Sequence, residues 1–333
     1  MLKKDYNTAA LFYNSNSIDD TERTTSIHHL SFGRYRTSVN KSNLISQEQI
    51  QYIDPVPITD LNNIVNYKQI KTTTNYTYKD RLVGLPSEIM TTNSKGDILK
   101  TKNYYPTDKN SIIDLDIDDK LRFDMLQGQH RIGEVIQTET YKDNILQSKQ
   151  RTLYKDFFMG IVLPEKIQTT KGTQALEDRI VYHSYDNKGN PTEVSKKDGT
   201  HIVYIWGYNQ TQPIAKIEGA KLSDIPNTYI DPVKAASNID NDRTVDTRDA
   251  QGNITYLGKE GNLRKQLNKL HQLTALKYSP ITFYTYDPLI GVTSITDPRG
   301  QTIYYEYDEF NRLKFIKDTN GNLLKENQYN YKN

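Results

Sequence analysis

A Tyr-Asp pair that recurs at a fixed interval is the feature that most restricts how this chain can fold. Tyr286-Asp287 is followed 21 residues later by Tyr307-Asp308. Counted from each Tyr, an Asp recurs at position +11 and a Gly at position +14, namely Asp297 and Asp318, Gly300 and Gly321. A repeat of about 20 residues is typical of chains that stack one small structural unit many times.

Further copies of the unit lie upstream. Tyr185-Asp186 opens one copy, with Gly199 at +14 and Trp206 at +21. Looser copies occupy residues 82–105 and 160–186, which have Gly at the turn, and residues 133–154, which have Lys-Asp-Asn there. The repeat therefore extends over most of the chain downstream of about residue 80.

Each unit has the pattern of a β-hairpin. Leu313 and Phe315 alternate with polar residues, which predicts a strand with one buried face. Asn320-Gly321 supplies residues that accept positive φ in a tight turn, and a return strand follows from Leu323 to Tyr331. Two strands alone are marginally stable in water, so successive hairpins must pair edge to edge. The sequence predicts an all-β fold of repetitive antiparallel β-hairpins.

One segment interrupts the hairpins. Residues 218–280 lose the alternating pattern, and Leu263, Leu267 and Leu270 follow helical spacing within a predicted helix at 262–276. A second short helix fits near 231–238. The predicted divisions are a β-rich segment at 1–75, divergent repeats at 76–217, a small helical insertion at 218–280 and two tandem repeats at 281–333.

Composition excludes several classes of partner and chemistry. With no Cys among 333 residues, the chain has no disulfides, thiolate metal sites or Cys nucleophiles. The 43 Lys and Arg residues against 41 Asp and Glu residues leave a net charge of +2, which attracts no nucleic acid. No stretch reaches the roughly 18 apolar residues of a membrane-spanning helix. The N-terminal residues also lack the apolar segment of a signal peptide.

Acidic residues at 114–119 resemble a calcium-binding loop only in part. Oxygen ligands suit calcium, but an EF-hand loop that begins at Asp114 needs Gly at 119 and Glu at 125. The chain has Asp119 and Met125 there. The favoured interpretation is a strand with Leu115 and Ile117 turned inward.

Neither the histidines nor any known sequence motif predicts a catalytic or metal-binding site. The chain has six histidines (28, 29, 130, 183, 201 and 271), and none belongs to an H-E-x-x-H motif. His183 and His201 flank a predicted hairpin, where we interpret them as a structural or surface pair. No G-x-S-x-G, Walker A or G-x-G-x-x-G motif is present. We therefore predict no catalytic, cofactor-binding or metal-ligating residues, no cofactor and no enzymatic activity.

The tyrosines at the strand ends allow two interpretations. They provide either stacking platforms for sugars or cargo, or cross-strand pairs that hold adjacent hairpins in register, which is the favoured interpretation. The tyrosines concerned are Tyr104, Tyr105, Tyr304, Tyr305, Tyr307, Tyr329 and Tyr331.

The segment YDEFNRLKFIKDTNGN (307–322) resembles the pattern Y-D-x-x-G-R-L-x-x-x-x-D-x-x-G-N of the rearrangement-hotspot (Rhs), or YD-repeat, proteins. The form DPRGQTIYYEYDEFNRL is similar to repeats in large surface or secreted proteins of Bacteroidetes-type bacteria. Asn311 stands where the family usually has Gly, and Asn also tolerates positive φ. The match is close at 286–331, good at 182–208 and loose elsewhere.

The resemblance implies a spiralling sheet that winds into a hollow shell in full-length members. In toxin-associated members that shell holds a C-terminal toxin, released by self-cleavage at aspartates of a segment that follows the repeats. This chain ends at YNYKN without that segment, so we do not assign self-cleavage to Asp287. By resemblance, we expect the C-terminal repeat region of a larger protein, located extracellularly or at the cell surface.

Three functions remain open from the sequence. The first is a non-enzymatic structural or binding protein for adhesion or enclosure, forming a partial Rhs-type shell. Its expected partners are the rest of a longer shell or a partner chain, with a glycan or protein as cargo and no nucleic acid. The alternatives are a shell component of a polymorphic-toxin delivery system and a carbohydrate-active enzyme on a β scaffold.

Overall fold

The computed structural model describes residues 8–11, 32–35, 43–53, 67–80, 83–241, 247–251 and 254–331. Its contacts divide the chain into two compact units, Met1–Tyr76 and Thr77–Asn333. Strands of the first unit pair antiparallel, β1 (Thr8–Leu11) with β2 (Phe32–Tyr35) and β3 (Ser46–Tyr52) with β4 (Gln69–Thr77). The helix and strand descriptions below concern the second unit.

The second unit is an open antiparallel sheet whose strands pair in the order of the chain. Before the insertion the strands are β5 (Glu88–Thr92), β6 (Ile98–Tyr104), β7 (Gln137–Lys142), β8 (Ile145–Phe158), β9 (Ile161–Lys171), β10 (Glu177–Tyr185), β11 (Pro191–Lys196), β12 (His201–Gly207) and β13 (Gln212–Glu218). After it come β16 (Ile281–Asp287), β17 (Gly291–Thr296), β18 (Thr302–Tyr307), β19 (Leu313–Lys317) and β20 (Leu323–Glu326). The predicted fold of repetitive antiparallel hairpins is confirmed.

The helical insertion lies between two strands that are neighbours in the sheet. Ala215 of β13 pairs with Phe283 of β16, so the sheet continues as though the intervening residues were absent. The insertion contains α2 (Asn227–Ile239), the short strands β14 (Thr247–Arg248) and β15 (Ile254–Tyr256), and α3 (Gly258–Asn268). Short 3₁₀ segments lie at Leu222–Asp224, Lys269–Gln272 and Thr274–Leu276.

The helix predicted at 262–276 differs from α3 at both ends. α3 begins at Gly258 and ends at Asn268, and 3₁₀ turns replace the helix beyond it. Leu273 has an extended backbone, with φ −70° and ψ 122°, which interrupts the helical path. Leu270 and Leu276 are nevertheless buried. The leucine spacing therefore predicts which residues are buried, but it does not distinguish an α-helix from 3₁₀ turns.

The larger hydrophobic core lies between the sheet and the insertion. Apolar side chains of β12, β13 and β16 pack against those of α2, α3 and the turns after α3. The fully buried members are Val203, Ile214, Ala215, Ile217, Leu263, Leu267, Leu270 and Ile281. A low overall content of apolar residues thus still supplies one dense core, because the insertion concentrates them on one part of the sheet.

A smaller core forms under α1 (Ile117–Gly128), a helix that the sequence did not predict. Phe123 and Leu126 of α1 are fully buried with Ile136 and Val162 of the sheet region. None of the helices in the described part of the chain combines the length and the apolar character needed to cross a membrane.

The strand predicted at 114–119 is wrong because the acidic run begins α1. Asp116 is the N-cap, and its side chain accepts a hydrogen bond from the backbone N–H of Asp119 at 2.7 Å. Leu115 is buried as predicted, but Ile117 is 83% exposed. The Asp side chain binds a backbone N–H that has no partner within the helix. The acidic residues therefore mark the start of a helix and not one face of a strand.

Candidate functional site: the repeated turns and their aromatic anchors

The Asp-x-x-Gly part of each repeat builds one turn. The Asp297 side-chain Oδ1 accepts hydrogen bonds from the backbone N–H groups of Arg299, at 2.9 Å, and Gln301, at 2.8 Å. Gly300 donates its N–H to the Asp297 carbonyl at 2.9 Å and has φ +81°. This is a type I turn followed by a left-handed residue, the usual form of a three-residue hairpin loop. Gly is suited to that last position because it has no Cβ.

The same turn recurs along the sheet, including at both aspartates of one repeat. Three other aspartates each accept hydrogen bonds from two backbone N–H groups in the same way, namely Asp186, Asp308 and Asp318. Asn311 occupies the left-handed position with φ +60°, as expected where the family usually has Gly. At the last turn only Gly321, and not Asn320, has positive φ, so the loop begins at Asp318 rather than being a two-residue turn.

An aromatic residue just before many of these turns forms the second recurring element. We call these residues the aromatic anchors, because each donates a side-chain hydrogen bond to a backbone carbonyl on the preceding strand. They are Tyr185 to Pro164 at 2.6 Å, Trp206 to Pro191 at 2.8 Å, Tyr286 to Pro213 at 2.9 Å and Tyr307 to Val292 at 2.9 Å.

The anchors are linked to one another through the register of the sheet. Pro191 pairs with Tyr185 across the strands and accepts the bond from Trp206. Pro213 pairs in turn with Trp206 and accepts the bond from Tyr286. Each anchor after Tyr185 thus binds the residue that pairs with the anchor before it, and Tyr307 follows the same rule, because Val292 pairs with Tyr286. The pattern continues beyond Tyr307, because the Tyr329 hydroxyl donates to the carbonyl of Leu313, the partner of Tyr307.

Burial moves the pKa values of the anchor tyrosines further above neutral pH. Burial, with a smaller contribution from Tyr284, raises the pKa of Tyr286 to about 12. Burial also raises the pKa values of Tyr185 and Tyr307 above the usual value for tyrosine. Because each hydroxyl remains protonated at neutral pH, it can donate to a carbonyl, which has no proton to offer.

We expect Tyr307→Phe to lower the free energy of unfolding by about 1 kcal/mol, because the Val292 carbonyl loses its side-chain donor. The hydroxyl also fits closely, since a Cβ at Gly291 would lie 2.6 Å from it. Chemical denaturation measures the change. Tyr278→Phe is the matched control, because Tyr278 is 88% exposed. Equal effects of the two substitutions would contradict an anchoring role.

The other residues considered from the sequence lie apart from the anchors. Asp114 forms an ion pair with Arg151, which holds the pKa of its carboxyl below the usual range. Tyr105 donates to the Pro86 carbonyl at 3.0 Å, like an anchor. Tyr331 accepts a hydrogen bond from Arg312.

The histidines are also dispersed, apart from one pair. His28 and His29 lie outside the described residues. His271 packs edge-on against Phe283 with ring centroids 5.2 Å apart. His183 and His201 stack with ring centroids 4.8 Å apart.

The anchors' carbonyl partners are the part of this arrangement that the sequence analysis did not identify. Three of the four partners are Pro, and three of the four are the first or second residue of a strand, so a Pro or β-branched residue at a strand start is the available signal. The pairing itself requires the register of neighbouring strands, which the sequence pattern alone does not specify.

A comparison with known protein families agrees with the repeat. Residues 291–323 match the family model described as RHS Repeat. No curated protein is similar enough in sequence to count as a match. Among solved structures, one similar chain comes from the "Crystal Structure of TcdB2-TccC3-TEV", with 15% identity and a TM-score of 0.35. The match covers 83% of this chain and 12% of that one. The chain therefore contains an RHS repeat at residues 291–323.

Proposed function

We propose that this chain is a non-enzymatic structural segment of a larger Rhs-type β-sheet, which serves adhesion or enclosure in a bacterial surface or secreted assembly. The observation that supports it most is the chain-ordered pairing of strands by one repeated turn and one repeated anchor. A sheet built by such a rule grows by adding hairpins, and its stability comes from contacts between neighbours. Its partners would be further strands of the same type, with a protein or glycan as cargo.

The outer edge of β20 is suited to such growth. All four of its residues are exposed, including Leu323 and Leu324 at 52% and 57%. Exposed apolar side chains on an edge strand favour pairing with another strand, which monomeric proteins usually prevent with charges, Pro or a covering element. Tyr329 and Tyr331, also exposed, follow directly and extend the apolar surface.

One backbone N–H of this edge can be blocked without disturbing the pair β19–β20. The N–H of Asn327 donates inward to the Lys314 carbonyl at 2.9 Å. Neighbouring residues of a strand point their N–H groups in opposite directions, so the N–H of Glu326 points away from β19. Pro at position 326 therefore removes a donor from the free edge only.

We expect the purified chain to self-associate as its concentration rises, and Glu326→Pro to weaken that association, in light scattering after size-exclusion chromatography. The matched control is Glu309→Pro, which copies the Asp297-Pro298-Arg299-Gly300 turn at the equivalent position of the next turn. Association that is equally strong in both variants, or a wild-type chain that stays monomeric at every concentration, would contradict growth of the sheet at β20.

A toxin-delivery shell is the more specific form of the same proposal. It adds one partner, a toxin domain held against the concave or inner face of a larger sheet. Copurification of a toxin domain with the longer assembly supports that form, whereas adhesion requires binding of the isolated chain to a glycan or a cell surface.

A further inference from the structure

Three consecutive strands bring two imidazoles and a carboxylate together. His183 lies on β10, Glu193 on β11 and His201 on β12. One potential ligand atom of each residue lies within 4.8 Å of the ligand atoms of the other two. The three residues are ten and eight positions apart in the sequence. Only the antiparallel pairing of the strands places them side by side.

Hydrogen bonds orient the members of this cluster. His201 Nδ1 lies 2.6 Å from Glu193 Oε1, and the other carboxylate oxygen accepts the backbone N–H of Leu222 at 3.0 Å. His183 Nε2 lies 2.8 Å from the Ser195 hydroxyl. A carboxylate held by a backbone donor is the kind of outer contact that orients a metal ligand.

We propose that His183, Glu193 and His201 form a binding site for a divalent transition-metal ion of the zinc type. Two imidazole nitrogens and one carboxylate oxygen are a ligand set that zinc uses, with a fourth position left for water or another ligand. Tetrahedral bonds of about 2.0–2.1 Å place ligand atoms about 3.3 Å apart, so the present separations require side-chain adjustments of about 1–2 Å. The bound ion would join β10, β11 and β12 through their side chains.

The site would add a cross-link that the repeat does not otherwise provide. Backbone hydrogen bonds connect each strand only with its direct neighbours, whereas the ion contacts three strands at once. Asp198, Thr200 and Lys221 line a cleft beside His201, which gives a fourth ligand or water access from solvent. The alternative is that the stacked histidines are only a side-chain contact across the sheet.

Isothermal titration of the full chain with Zn²⁺ distinguishes the two. The starting protein is the His28→Asn, His29→Asn double variant, which removes the two histidines that are consecutive in the sequence. We expect one bound ion per chain, and His183→Asn or Glu193→Gln should weaken its affinity at least about tenfold. His130→Asn is the matched control and should leave the affinity unchanged, because His130 is exposed at the end of α1. Far-UV circular dichroism checks that each variant is folded.

Two further readouts make the result decisive. Co²⁺ in place of Zn²⁺ should give the visible absorption of a tetrahedral site in the parent protein and not in Glu193→Gln. Zn²⁺ should also raise the thermal midpoint of the parent and not of the ligand variants, since an ion that binds only the folded state stabilises it. Absence of stoichiometric binding, or binding that the ligand variants leave unchanged, would overturn the proposal.

Discussion

Replacing Leu267 with Ala is expected to lower the free energy of unfolding by about 2–5 kcal/mol, the largest effect we predict for a single side chain. Leu267 lies on α3, is fully buried and belongs to the core between the helices and the sheet. The substitution removes apolar contacts and leaves a cavity between packed neighbours. The higher helix propensity of Ala offsets only a few tenths of a kcal/mol.

Two further variants distinguish the effect of lost packing in the core from the effect of losing an apolar side chain elsewhere. Leu267→Met conserves most of the volume and should cost less than about 1.5 kcal/mol. Leu324→Ala changes an exposed Leu on β20 and should cost less than about 0.5 kcal/mol. Urea denaturation followed by circular dichroism measures all three. If Leu267→Ala and Leu324→Ala have similar midpoints, the insertion does not form a cooperative core with the sheet.

Gly207→Ala is expected to destabilise the fold by about 1–3 kcal/mol, because no space exists there for a methyl group. A Cβ at this position would lie 2.3 Å from Oγ of Ser237 and 2.6 Å from Cδ1 of Ile214. Ser237 is fully buried on α2, where its hydroxyl donates to the Lys234 carbonyl at 2.8 Å. The same hydroxyl accepts the N–H of Tyr208 at 3.1 Å. α2 must therefore move away from β12 to admit the methyl group.

The control for Gly207→Ala is the same substitution at a glycine that has free space around it. A Cβ at Gly128, at the end of α1, meets no atom within 4 Å, so Gly128→Ala should be neutral or slightly stabilising. Thermal unfolding of both variants measures the contrast. A Gly207→Ala protein as stable as Gly128→Ala would show that α2 packs less closely on β12 than the structure indicates.

Much of the sheet was predictable because its information is local. The strands of the last repeats follow alternation of apolar and polar residues, and their turns follow the Asp-x-x-Gly spacing. Asp318 illustrates the reason, since its side chain binds N–H groups only two and four residues further along the chain. Such a contact forms in almost any context, so the sequence that encodes it can be recognised directly.

The regions that were predicted less well depend on distant contacts. At 114–119 the alternation of Asp with Leu and Ile indicated a strand, but Asp116 caps α1, and burial of Phe123 against the sheet stabilises that helix. At 269–276 the leucine spacing is helical, yet two 3₁₀ turns place Leu270 and Leu276 in the core. In both places tertiary packing overrode the preference of the segment.

The sequence by itself determined the class of fold, the hairpin repeat and the turn positions, because these depend on contacts within a few residues. Only the tertiary structure decided which carbonyl each aromatic anchor binds and where α1 and α3 begin and end. It also decided that His183, Glu193 and His201 lie together. These features depend on the register of neighbouring strands, and a shift of one residue would turn each side chain to the opposite face.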